Sequence, residues 1–129
     1  MGERSLRVLV VEDDRFLRRA ADAALRRDGF TVLTAADGEE GLRLARAEAP
    51  DLVLLDLIMP GLQGFAVLQM LKADEATAHI PVIVLSNLGQ ESDVKSAMDA
   101  GAVDYLVKAN LTLDDLVKRV KEICEARAR

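Results

Sequence analysis

Four apolar runs in this chain each stop at a hydrophilic side chain. Val8-Leu9-Val10-Val11 leads into Glu12, Asp13 and Asp14, and Leu52-Val53-Leu54-Leu55 leads into Asp56. Val82-Ile83-Val84-Leu85 ends at Ser86, and the run Val103–Val107 ends at Lys108. Asp56 is the most demanding of these groups, because Leu57-Ile58-Met59-Pro60 follows it and a carboxylate so embedded is costly to desolvate without a partner. Two carboxylates ~5 Å apart repel by roughly 3 kcal/mol at an effective dielectric near 20, so a cluster of these acids calls for a cation. With one His and one Cys in the chain, a nitrogen or sulfur site lacks ligands, and oxygen donors select Mg²⁺ or a similarly hard ion. A hard cation beside one reactive carboxylate, with an amine and a hydroxyl alongside, is equipment for phosphoryl transfer. The carboxylate is the nucleophile, cation and ammonium neutralise phosphoryl oxygens, and the hydroxyl donates a hydrogen bond. Taken singly, the groups have plainer readings. Asp14 reads as a helix N-cap, Ser86 as a satisfier of local backbone groups and Lys108 as a snorkelling surface lysine.

These groups are useful only if the chain brings them to one place, and its pattern does so. Strand-like runs at Arg7–Val11, Phe30–Ala35, Asp51–Leu57, Pro81–Ser86 and Val103–Val107 alternate with segments of helical period. Runs that are apolar on both faces belong to a parallel sheet covered by helices on each side, whereas Phe30–Ala35, with Thr31 and Thr34, suits an edge. The first helix spans Arg15 to about Asp28 and stops at Gly29; the second starts from Asp37 with Glu40 three residues on and ends before Pro50. Helices near Gly64–Ala73 and Gln90–Ala100 follow, the latter stopped by Gly101. The last helix places Leu113, Leu116, Val117, Val120 and Cys124 on one stripe with Ile123 beside it. Thr112 is its N-cap, Asp115 reaches back in capping-box fashion, and Leu111 and Leu116 form a hydrophobic staple. Strand–helix repeated five times with short connections means right-handed crossovers and an open, doubly wound α/β sheet, whose sites form beyond the carboxyl ends of the strands.

Composition narrows the function. At 129 residues, 50% hydrophobic and 30% charged, the chain reads as one globular domain covering 1–129. Its net charge of −5, from 17 basic and 22 acidic side chains, speaks against direct nucleic-acid binding. A single Cys excludes an intrachain disulfide framework and paired-Cys zinc patterns. The longest apolar stretch, Leu52 to Pro60, is about half of the ~20 residues a membrane span needs and is broken by Asp56. The first residues lack the apolar core of a secretory signal, so the expected setting is cytoplasmic.

Four segments, in order and at strand ends, carry a resemblance: Val10-Val11-Glu12-Asp13-Asp14, Leu54-Leu55-Asp56-Leu57-Ile58-Met59-Pro60-Gly61, Val84-Leu85-Ser86, and Gly101-Ala102-Val103-Asp104-Tyr105-Leu106-Val107-Lys108. Over essentially its whole length, from about Leu6, the chain resembles a receiver domain of bacterial two-component response regulators, with the flavodoxin-like fold of the single-domain chemotaxis regulator. The resemblance implies five strands in the order 2-1-3-4-5. It implies Asp56 as phosphoacceptor, Mg²⁺ held by Asp13, Asp56 and the Ile58 backbone carbonyl with Glu12 acting through water, Ser86 and Tyr105 as switch residues, and Lys108 on a phosphoryl oxygen. It further implies a sensor histidine kinase or phosphotransfer domain as donor. Output would pass to a downstream protein, or to a second copy, through the face of the fourth helix, fifth strand and fifth helix. Such a domain is no enzyme beyond catalysing its own phosphorylation and dephosphorylation.

The chain departs from the family at Ala109, where proline is usual and often follows a cis peptide; a trans bond and a rearranged loop are expected, since a cis bond before alanine costs ~3 kcal/mol. Ser86 replaces the commoner threonine, and Asn87 follows where a small residue is frequent. The competing readings are a pseudo-receiver serving as a constitutive protein-binding module, against which the intact acid–Ser–Lys set argues, and a small-substrate phosphohydrolase, which lacks specificity elements. Cys124 reads as inert core, His79 as a loop residue, and Arg15, Arg18, Arg19, Arg26 and Arg27 as a solvated face bordering the family's kinase-docking surface.

Overall fold

The computed structural model describes residues 5–59 and 61–127. Its elements follow one another as β1 (Arg7–Val11), α1 (Arg15–Arg27), β2 (Thr31–Ala35), α2 (Gly38–Glu48), β3 (Leu52–Asp56), α3 (Gly64–Ala73), β4 (Val82–Ser86), α4 (Glu91–Asp99), β5 (Asp104–Val107) and α5 (Leu113–Arg127). All strand pairs are parallel, in the order β2-β1-β3-β4-β5. This is the expected doubly wound sheet, with the mixed strand β2 at one edge.

Alternation along the central strands builds two cores from one sheet. Leu9, Val11, Val53, Leu55 and Val84 face Leu42 and Ala45 of α2, Val67, Leu68 and Leu71 of α3, and Ala97 of α4. Their neighbours Val8, Val10, Leu52, Leu54 and Ile83 face Ala21 and Leu25 of α1 and Leu116, Val120, Ile123 and Cys124 of α5. β3 and β4 are buried at every position, which is why their sequences are apolar without a period. Truncating a leucine such as Leu54 to alanine in such a layer costs about 2–5 kcal/mol.

The helix ends follow from their residues. Asp14 caps α1 by accepting from the N–H groups of Phe16 and Leu17. Gly29, at φ +98°, closes that helix, with its own N–H on the Arg26 carbonyl and the Phe30 N–H on that of Leu25. The same pair of bonds recurs at Gly101, from Gly101 to Met98 and from Ala102 to Ala97. Asp37 accepts from the Glu40 N–H at 2.8 Å, while the Glu40 carboxylate passes the cap and accepts from Ala36. At α5 the reciprocal box forms between Thr112 and Asp115. Leu113 departs from the expected stripe: in the first turn of α5 it is substantially exposed, and Ile123 takes a place in the core instead. Lys108–Asn110 wind into a short 3-10 turn, and no peptide among the described residues is cis. No helix among the described residues is long and apolar enough to cross a membrane.

Candidate functional site

The carboxyl ends of β1, β3 and β5 converge. Glu12 and Asp56, 1% and 4% exposed, lie inside the mouth of the cleft, and Asp13 lies exposed beside them. One carboxylate oxygen from each of Glu12, Asp13 and Asp56 falls within 4.8 Å of the others. Lys108, at the start of the 3-10 turn, brings its ammonium to 2.8 Å from Glu12 Oε1 and 3.2 Å from Asp56 Oδ2. Asp14, Ile58, Asn87 and Leu88 complete the lining.

Three carboxylates thus gather where one ammonium reaches two of them, and the crowding registers at Glu12 and Lys108. Burial pushes the Glu12 carboxyl up to about 7, reinforced by nearby Asp56 and opposed by the Lys108 ammonium and the Asp14 N–H, which donates to Oε2 at 3.1 Å. Burial works against the Lys108 ammonium, yet Glu12 and then Asp56 outweigh it and raise its pKa. Glu12 Oε1 is buried, and the Lys108 ammonium meets it at 2.8 Å as a charged N–H partner. Three carboxylate oxygens within 4.8 Å of one another, two of the carboxylates buried, are a donor set that fits a hydrated hard cation such as Mg²⁺.

Backbone groups fix the rest. The Ile58 N–H donates to Asp56 Oδ1 at 3.1 Å and so turns the carboxylate. Ser86 is fully buried at the end of β4, and its hydroxyl accepts the Leu88 N–H at 3.1 Å. The Tyr105 hydroxyl donates to the Leu88 carbonyl at 2.5 Å, and the half-buried tyrosine packs against the core under α4. The backbone of Leu88 is therefore held on both sides of its Cα, through its N–H by one expected switch residue and through its carbonyl by the other.

Each expected site residue is accounted for by position. Glu12, Asp13, Asp56 and Lys108 come together directly, Ile58 contributes its peptide N–H, and Ser86 and Tyr105 meet through Leu88 rather than each other. Arg18 reads in sequence only as part of a solvated face, but its guanidinium folds back onto the carbonyls of Glu12 at 2.9 Å and Asp13 at 3.3 Å, holding the acidic turn. Nothing in the sequence marks that contact except its place one turn into α1. The role of Leu88 has no side-chain signal at all, because backbone atoms perform it.

A family model described as "Response regulator receiver domain" matches residues 8–121. The chain belongs to the response regulator receiver domain family. This receiver domain is 46% identical over 123 residues to the transcriptional activator protein PfeR of Pseudomonas aeruginosa, covering 91% of the chain and 39% of that protein. It is 43% identical over 126 residues to the transcriptional regulatory protein PrrA of Mycobacterium tuberculosis, covering 98% and 53%. The chain thus spans about half or less of the length of these regulators. Among solved structures, the receiver domain of the Francisella response regulator 1452 superposes with a TM-score of 0.88 at 30% identity, covering 97% of this chain and 100% of that one.

Proposed function

We propose that this receiver domain takes a phosphoryl group on Asp56 from a sensor histidine kinase or phosphotransfer domain in the cytoplasm, in a Mg²⁺-dependent reaction, and passes the change to a partner surface. The observation that carries the reading is the gathering of Glu12 and Asp13 around the buried, oriented Asp56 carboxylate, where among the described residues Lys108 is the cation on the carboxylates and Arg18 is held on the carbonyls of the acidic turn. In the transfer, a carboxylate oxygen of Asp56 forms a P–O bond as the P–N bond to the donor imidazole breaks. The N–H of Ile58 orients the nucleophile, and Lys108 is within reach of two of the groups whose charge must be balanced as phosphoryl oxygens arrive. Asp13, Asp56 and the Ile58 carbonyl would hold the cation, with Glu12 through water. When bound, Mg²⁺ supplies charge neutralisation at the phosphoryl oxygens.

The switch reading follows from Leu88. A phosphoryl group on Asp56 adds acceptor oxygens and negative charge, so the Ser86 hydroxyl gains by donating to it instead of accepting from the Leu88 N–H. Releasing the Leu88 N–H loosens the backbone on one side of its Cα and so alters the restraint on Tyr105, which holds the carbonyl on the other side, and the β4–α4 connection shifts as a population change. Output then passes through the α4–β5–α5 face to a downstream protein or a second copy. On that face Lys95 pairs with Asp99, and Arg119 with Asp104 and Glu122, so a two-fold contact would exchange these intrachain pairs for interchain ones. Incubation with Mg²⁺ and a small acyl-phosphate donor, followed by intact-mass measurement, tests the proposal. One phosphoryl adduct is expected in the native chain and in Ser86→Ala, and none in Asp56→Asn; an equal adduct in Asp56→Asn would overturn the assignment.

A further inference from the structure

Asp13 is the exposed member of the acidic cluster, so core packing does not aim its carboxylate as it aims those of Glu12 and Asp56. Its direction depends on the backbone beneath it, and that backbone is gripped. Arg18 Nη1 donates to the carbonyl of Glu12 at 2.9 Å and to that of Asp13 at 3.3 Å. These carbonyls belong to the two peptides that flank the Asp13 Cα. Peptides are planar, so a group that holds both fixes the two soft backbone dihedrals of Asp13, and with them the direction of its Cα–Cβ bond. The second of these peptides also reaches Glu12. On the edge opposite its carbonyl lies the Asp14 N–H, which donates to Glu12 Oε2 at 3.1 Å. The guanidinium, one rigid peptide and the Glu12 carboxylate are thus joined in sequence, and the same carboxylate meets Lys108 through Oε1 at 2.8 Å.

We propose that Arg18 is a positioning residue for the acidic pocket: by gripping the peptides on both sides of Asp13 it aims the Asp13 carboxylate and, through the Asp14 N–H, the Glu12 carboxylate. Its place and its type both suit the task. The Arg18 N–H donates to the Asp14 carbonyl at 2.9 Å, so the residue is rooted in the first turn of the helix that Asp14 caps. Its side chain is half-buried, and a guanidinium nitrogen carrying two hydrogens can serve two carbonyls at once through charge-assisted bonds. Arg26, in the last turn of the same helix, provides a contrast. It also donates to a backbone carbonyl, that of Val32 at 2.9 Å, and pairs with Asp22. Arg26 ties α1 to β2, whereas Arg18 ties α1 to the turn that carries two of the three acids.

Charge and position make opposite predictions for a metal ion. A cation near a Mg²⁺ site repels the ion, so removing an arginine that acted through charge alone would strengthen Mg²⁺ binding. Removing a group that orients the ligands weakens it, by about tenfold or more. Calorimetry of Mg²⁺ binding to the full chain at low salt reads the sign directly. Arg18→Met should lose about tenfold in affinity, and Arg18→Lys, which keeps the charge and a donor, should recover part of that loss. Arg26→Met should lose melting temperature yet bind Mg²⁺ as the native chain does. An affinity in Arg18→Met equal to or above the native value would overturn the proposal. So would an equal loss in Arg26→Met, which would trace the effect to the stability of α1. Where Arg18→Met melts too low to titrate, Arg18→Gln, neutral and too short to span both carbonyls, carries the same test, and native affinity in it overturns the proposal. The inference rests on the Asp56 reading for its purpose, but this readout needs no phosphorylation. A native chain that binds Mg²⁺ but takes no phosphoryl group would count against the Asp56 reading instead.

Discussion

The two edges of this sheet treat polar groups in opposite ways. At the amino edge, cations are spent on closing the fold. Arg7 grips the Glu48 carbonyl and carboxylate, Lys72 donates to the carbonyls of Ala78 and Ile80 at 3.0 and 2.6 Å, and Arg127 donates to that of His79. At the carboxyl edge, Glu12 and Asp56 share Lys108, and Asp13 stands beside them. Lys72 and Lys108 make the contrast sharpest. Burial, and then Arg127, lower the pKa of Lys72, whose partners are neutral carbonyls; the carboxylates around Lys108 overcome its burial and raise it. The same residue type is a structural donor at one edge and a counter-charge at the other. What distinguishes a site here is charge left unbalanced, since burial is common to both edges.

The largest effect that would break this contrast is expected at Lys108. Lys108→Met leaves Glu12 and Asp56 buried against each other, and loss of one partner from a buried ion pair costs about 3 kcal/mol. In metal-free buffer at pH 8 the melting temperature should drop accordingly, and millimolar Mg²⁺ should return a large part of it. Full stability without metal would show that the acids do not depend on this ammonium.

Lys72→Met should be somewhat milder and should not respond to metal. It strips two carbonyls of a shared donor, worth about 2 kcal/mol, or roughly 7 °C for a chain of this size. Its Mg²⁺-induced rise in melting temperature should equal that of the native chain; a diminished rise would mean that the two edges are coupled.

A smaller, pH-dependent effect belongs to Cys124, between α5 and the start of β3. Burial, with Asp51 and Glu125 nearby, pushes its thiol up to about 11. The folded protein then holds only ~1 in 1,000 of these thiols as thiolate at pH 8, so iodoacetamide should react far more slowly than after unfolding. Between about pH 9 and 11 the unfolded chain loses this proton while the folded chain keeps it, so stability should fall as pH rises through that window. Alkylation of the folded chain at the unfolded rate would contradict the assigned burial.

Much of this architecture is legible in the sequence because burial on both faces leaves a crude signature. β1, β3 and β4 are runs of Val, Leu and Ile that no exposed strand would tolerate, and a polar residue closes β3 and β4 and directly follows β1. Caps are equally readable, since Asp14, Asp37 and Thr112 act on their own neighbours in the chain. Strand order is different: connection lengths allow several arrangements, and only resemblance to a known family supplied the order that the structure has. Leu113 shows the limit of periodicity, which places a residue on a helical face without showing whether the sheet extends far enough to cover it. Arg18 and Leu88 show another limit, because their contacts are with backbone atoms brought close by the fold and carry no residue code.

Melting temperature against Mg²⁺ concentration, in the native chain and in Asp13→Asn, tests the charge imbalance most directly. A ligand that binds only the folded state raises stability with its concentration, and Asp13 is exposed enough for asparagine to replace it without disturbing the core. Removing one charge from the cluster should raise the metal-free melting temperature by a few degrees, about 4 °C per kcal/mol of repulsion relieved, and should abolish most of the Mg²⁺-dependent rise. A metal-free melting temperature at or below that of the native chain, with the Mg²⁺-dependent rise intact, would contradict the account.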